Sequence, residues 1–146
     1  MKIGLASDHR GYPLKELIKK ELEKKEYKVI DYGTNTKESV DYPDYGFKLG
    51  ESIRDNKIDF GVAICGSGIG ISIACNKVKK VRCAKVSNVK EAKITREDNN
   101  SNIVAFGEEM PLEEAIQIIE TFVHTEFSPL EKHHRRVEKI MKYEEN

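Results

Sequence analysis

The chain has 146 residues, room for one domain with a single core, and its 25 basic and 25 acidic residues give a formal net charge of +0. That balance excludes a general polyanion binder, so no nucleic-acid partner is expected, although a local anion pocket remains open. No run of about 18 apolar residues is present to span a membrane. Met1–Ser7 enters a strand-like pattern without the apolar stretch and cleavage site of a secretion signal. Cys65, Cys75 and Cys83 are odd in number and form no C-x-x-C pair, which fits reduced thiols in a cytoplasmic protein better than disulfides or a zinc site.

Strand-like and helix-like segments alternate from end to end. Lys2–Ala6 reads as a strand, and Pro13–Lys25 carries Leu14, Leu17, Ile18 and Leu22 on one helical face. Tyr27–Tyr32 is a second strand. Residues 33–44 are polar and turn-rich, and the Tyr42-Pro43 step argues against helix at position 42. A helix over about 44–54 then buries Leu49 and Ile53. Phe60–Cys65 is apolar throughout, the pattern of a central strand in a parallel sheet. A helix from about Gly70 to Val78, a strand over 81–86, a helix over about 88–96 and a short strand over 103–106 closed by Gly107 come next. Pro111 opens a helix as its first residue, with Leu112, Ala115, Ile116, Ile119 and Val123 on the buried side. A last helix over about 130–143 places Val137, Ile140 and Met141 inside. Such β–α repeats with short connections predict a single α/β domain over 1–146. Its fold is a Rossmann-like open five-stranded parallel sheet with helices on both faces.

Ligands of such sheets sit beyond the carboxyl ends of the strands. That rule points to Ser7-Asp8-His9-Arg10, the 33–44 loop, residues 65–70 and Ser87-Asn88. The segment Cys65-Gly66-Ser67-Gly68-Ile69-Gly70 spaces its glycines G-x-G-x-G after the third strand, unlike the G-x-G-x-x-G in the first turn of a dinucleotide fold. Ile71 stands where a cysteine phosphatase needs an arginine six residues after its nucleophile. What survives is a glycine-lined backbone leading into a helix N-terminus, an environment that favours negative charge, with Cys65 beside it. A strand-terminal cysteine alone reads as a small core residue, but the adjoining anion cradle favours thiolate character and a part in chemistry. Cys75 and Cys83 read as core.

The other polar candidates divide more evenly. Asp8-His9 reads as a rim ligand or as a turn and helix cap. Tyr42-Pro43-Asp44 and the run 98–102 read as structured turns on composition alone. Lys132 and Arg136, four apart on a helix, share a face that either grips a phosphate or is simply solvated. His133 and His134 diverge around the helix and lack a third ligand, so no metal is expected.

Several blocks stand in matching register: Ser7-Asp8-His9 with Gly11, Asp31–Thr34, Val40–Asp44, Ile64–Ala74 with Asn76-Lys77, Asn99 and Asn102, Ala105–Gly107, and His133–Val137. Through them the sequence resembles, almost end to end, the type B ribose-5-phosphate isomerases, a family that includes galactose-6-phosphate isomerase subunits. The resemblance implies an aldose–ketose isomerase that interconverts ribose 5-phosphate and ribulose 5-phosphate through an enediolate. It also implies no cofactor, a homodimer or dimer of dimers, and active sites built across the subunit interface with help from the 130–143 helix. In that scheme Cys65 is the base between C1 and C2. Gly66, Ser67, Gly68, Ile69 and Gly70 hold the enediolate oxygens through backbone N–H groups, with the Ser67 hydroxyl assisting. Asp8 and Asn99 bind sugar hydroxyls, Tyr42 helps close the pocket, and His9, Lys132 and Arg136 neutralise the phosphate. Three positions depart from the family pattern. Asp98 stands in place of the histidine that opens the furanose ring, Glu109 in place of a phosphate-binding arginine, and Lys132 in place of an arginine. These departures support a second expectation: a six-carbon or unphosphorylated aldose, or a sugar-phosphate binder of weakened activity.

Overall fold

The computed structural model describes residues 1–146, in which strands and helices alternate along the chain. In order they are β1 (Lys2–Ser7), α1 (Tyr12–Lys24), β2 (Lys28–Asp31), α2 (Tyr42–Arg54), β3 (Phe60–Cys65), α3 (Ile69–Asn76), β4 (Cys83–Lys85), α4 (Val89–Asn99), β5 (Ile103–Gly107), α5 (Leu112–His124) and α6 (Glu131–Tyr143). One all-parallel sheet of order β2-β1-β3-β5-β4 results. β3 is apolar throughout because it is the middle strand, covered on both faces. Ser7 pairs with Ile64, and Ile64 in turn with Phe106, so β1, β3 and β5 end in line. That shared ending sets the loops that follow them side by side at one rim.

Alternation along the strands divides the core. Ile3, Leu5, Val62, Ile64, Val104 and Phe106 pack with residues of α1, α4 and α5, whereas Ala6, Ala63, Cys65, Ile103 and Ala105 pack with α2 and α3. Full burial of each larger side chain contributes about 1.5–3 kcal/mol. No helix is long and apolar enough to cross a membrane.

The differences from the sequence expectation have local causes. Leu17 is exposed, and the inward place on α1 belongs instead to Lys15, which is wholly buried with its Nζ 2.8 Å from both Asp31 carboxylate oxygens. α2 begins at Tyr42, not after Pro43, because the proline N–H it lacks is one that a first helical turn leaves unpaired anyway. Pro111 sits just outside α5 rather than within it. The 98–102 run is not wholly a turn: α4 continues through Asp98 and Asn99, and Asn100 closes it in the left-handed region at φ 49°. On α6 only Val137 is buried, while Ile140 is exposed and Met141 half-buried, since this helix lies along α4 with no layer over its outer side.

The Lys15–Asp31 pair joins α1 to β2. Burial pushes the Asp31 carboxyl up, but hydrogen bonds from Lys15 and the Gly33 N–H, with the charges of Lys15 and Lys19, outweigh it and hold the group below its ordinary value. A carboxyl lowered on folding gives stability that is complete above its unfolded pKa, near 4, and is lost as pH falls through the folded value. Urea titrations should show Lys15→Ala losing about 3 kcal/mol at neutral pH, the cost of leaving one buried partner behind. Below about pH 4 the difference between variant and wild type should shrink.

Candidate active site

β3 ends at Cys65 and α3 begins at Ile69, so the chain reverses within three residues. Gly68 permits this at φ 79°, where a Cβ would also lie 2.6 Å from the Phe106 carbonyl carbon of β5. The reversal lets the Gly68 N–H donate to Cys65 Sγ at 3.2 Å, and the Ile69 N–H donate to Ser67 Oγ at 3.1 Å. The other N–H groups that open α3 face the same rim, as does their share of the helix dipole. Cys65 is only 4% exposed and lies on the α2–α3 side of the sheet, whereas Ser67 is exposed.

Neighbouring loops converge on this turn. Buried Asp8 accepts the N–H groups of Arg10 and Gly11 through Oδ1, both at 3.0 Å, so its carboxylate orders the turn into α1. His9 is half-buried and accepts the Val40 N–H through Nδ1 at 3.2 Å, leaving the ring proton of a neutral imidazole on Nε2. That bond ties the 33–41 loop to the rim. The Tyr42 ring lies over Gly70, where a Cβ would come within 2.7–3.1 Å of its carbons. Arg10 places its guanidinium over Gly66 in the same manner and pairs with Glu108. Toward β4 the turn borders a cleft of about 320 Å³ whose lining includes Gly66, Ser67, Lys85, Gly107, Glu109 and Glu114. No group of three or more His, Cys, Asp or Glu side chains is arranged to hold a metal ion.

The remaining expected residues lie elsewhere in the chain. α4 starts beyond the carboxyl end of β4 and returns to the amino end of β5, carrying Asp98 and Asn99 to the opposite edge of the sheet. The Asn99 carbonyl accepts from Nε of Arg82, the residue just before β4, at 3.2 Å. A six-residue strand separates the two edges by roughly 20 Å. At this second place His133 of α6 sets its Nε2 3.6 Å from Asp98 Oδ1, with Lys132 and Arg136 exposed on the same helix. The structure therefore brings Asp8, His9, Tyr42, Cys65 and Gly66–Gly70 together, and gathers Asp98, Asn99, Lys132 and Arg136 apart from them. The His133–Asp98 pairing is new, since no spacing in the sequence links a helix end to a helix start 35 residues on. Arg10 was visible only as a rim residue; its reach to Gly66 was not.

The model of the ribose/galactose isomerase family matches residues 3–140. The chain belongs to the ribose/galactose isomerase family. Membership makes it an aldose–ketose isomerase. Ribose-5-phosphate isomerase B of Escherichia coli is 35% identical over 145 residues, spanning 99% of this chain and 97% of that protein. Ribose-5-phosphate isomerase B of Clostridium thermocellum superposes with a TM-score of 0.95 at 46% identity, covering 99% of this chain and 98% of the other. The Mycoplasma genitalium enzyme, solved with bound ribulose 5-phosphate, gives 0.93 at 36% identity over 99% and 97% of the two chains. The open parallel sheet of this isomerase is thus that of its relatives.

Gly68→Ala tests the turn itself. Left-handed strain of about 1–3 kcal/mol, added to overlap with Phe106, should lower the thermal midpoint and disorder the 65–70 amides in an amide NMR spectrum. An unshifted midpoint would show that the loop tolerates a side chain there.

Proposed function

We propose that this isomerase interconverts ribose 5-phosphate and ribulose 5-phosphate with Cys65 as the base. The observation that carries the reading is the Gly68 N–H donated to Cys65 Sγ, which fixes the sulfur beside the backbone amides that open α3. The thiolate removes the C2 proton of the open-chain aldose. The freed electron pair forms the C1–C2 double bond, and the C1 carbonyl oxygen becomes an oxyanion. Backbone N–H groups of Gly66–Gly70 and the Ser67 hydroxyl stabilise the enediolate oxygens where that charge develops. A proton moves from O2 to O1, and Cys65 returns its own to C1. Asp8 holds a sugar hydroxyl, Tyr42 flanks the pocket, and His9 meets the phosphate.

The other half of the site comes from a second copy. Ile69 and Ile73, 55% and 57% exposed, present an apolar strip on the outer side of α3 beside the turn, and Tyr42 and Phe47 extend it. A homodimer covering this strip would bring the partner's second cluster to the rim. Asp98, backed by His133, then takes the anomeric proton and returns one to the ring oxygen; Asn99 binds a hydroxyl and Lys132 with Arg136 hold the phosphate. A second reading, in which the substrate is a six-carbon or unphosphorylated aldose, is favoured by one observation: Glu109 lines the cleft and sets an anion where a phosphate would need a cation.

Two experiments test this. Wild type should exchange the C2 hydrogen of ribose 5-phosphate with deuterium from solvent, and Cys65→Ala should lower the rate by at least about a hundredfold; persistent exchange would remove Cys65 as the base. Separately, Cys65→Ala and Arg136→Ala should each be nearly inactive, but mixed by co-refolding they should regain part of the activity, because one site in each mixed dimer is intact. Absence of recovery in a mixture shown to hold mixed dimers would place both residues in one protomer's site.

A further inference from the structure

Among the groups that the proposed reaction leaves unused, Arg10 stands out by position. β3 lies between β1 and β5 in the sheet, and Arg10 reaches from the loop after β1 to Glu108, which follows β5. The pair therefore arches over the end of β3. Its guanidinium rests on Gly66: a Cβ there would fall 2.5 Å from Nη1, 2.6 Å from Cζ and 2.9 Å from Nε. Gly66 directly follows Cys65, so the guanidinium lies against the residue next to the sulfur-bearing one.

The pair is built to be broken. The Arg10 side chain is 61% exposed, and Glu108 Oε2, although in contact with the guanidinium, accepts no well-aligned hydrogen bond. Exposed pairs of this kind contribute only about 0–1 kcal/mol. A phosphate monoester, with two charges and several acceptor oxygens, offers the guanidinium planar, bidentate bonding that Glu108 does not supply here. The surrounding charges leave few other cations for it. Glu109 and Glu114 line the adjoining cleft with Lys85, whose Nζ lies 3.1 Å from Ser87 Oγ, and the Asp8 Oδ1 is engaged in its turn.

We infer that Arg10 is the protomer's own anchor for the phosphate of the sugar, kept over Gly66 by Glu108 and released from it when the phosphate arrives. This rests on the sugar-phosphate isomerase reading. Arg10 would then offset the anion at Glu109, and the two residues of the pair would act in opposite senses: Arg10 for binding, Glu108 against it.

The test uses the full chain. Arg10→Ala should raise KM for ribose 5-phosphate about ten- to a hundredfold, the range for losing one hydrogen-bonded charge, with a much smaller change in kcat. Arg10→Lys should recover part of that loss, and KM for unphosphorylated ribose should not move. Glu108→Gln should lower KM for the phosphorylated sugar about two- to fivefold by freeing the cation. A pair that merely straps two loops together predicts otherwise: both variants would lose thermal stability and activity alike, and that result overturns the proposal. So does a fall in kcat at constant KM, which would place the guanidinium at the reacting carbons. Calorimetric titration with inorganic phosphate gives a second readout independent of turnover. Weaker binding in Arg10→Ala and tighter binding in Glu108→Gln support the anchor even if the wild type fails to isomerise ribose 5-phosphate, a failure that would sink only the substrate reading. Equal phosphate affinity in all three proteins refutes it.

Discussion

The contact between Gly68 and the backbone of Phe106 is the constraint on which the rest depends. It fixes how sharply the chain turns after β3, and thereby where α3 begins and which N–H group meets the sulfur of Cys65. The in-line ending of β1, β3 and β5 adds the flanking loops, so that Asp8, His9 and Arg10 arrive beside the same turn. A charge-stabilising cradle arises here from strand register and one left-handed residue, with few polar side chains involved.

The chain distributes its candidate polar residues over both edges of the sheet. A helix in a parallel α/β fold must return to the far edge before the next strand can start, so whatever α4 carries at its end is delivered away from the turn. Asp98, Asn99 and the α6 residues share that edge. The outer sides of α3 and α6 also carry exposed apolar side chains, Ile69 and Ile73 on one and Ile140 on the other.

Much of the fold was legible in the sequence because its signals were local. The unbroken apolar run of β3, the glycines after it and the spacing of α5 each point to one structure only. The failures share a different cause. Lys15 is buried because Asp31, sixteen residues away on β2, meets it inside, and no periodicity reveals a partner on another element. Ile140 reads as core by spacing, yet no other element of the chain covers it. The polar run at 98–102 has the same composition whether it ends a helix or forms a turn, so only the left-handed Asn100 decides. At the candidate site the rim residues were found from strand ends, whereas the reach of Arg10 across β3 depends on sheet order, which the sequence does not display.

The turn at Asp8 shows which rim positions the scaffold itself depends on. Asp8, Cys65 and Gly68 each serve the architecture as well as the rim: one caps a turn, one fills the core, one admits a neighbouring strand. Replacing any of them would tax folding before chemistry could be tried. Glu109 and Lys132 are exposed, and Asp98, half-buried, has the His133 imidazole 3.6 Å away. A change of side chain at such positions would leave the scaffold untouched, so a different sugar could be accommodated while the backbone stays as it is.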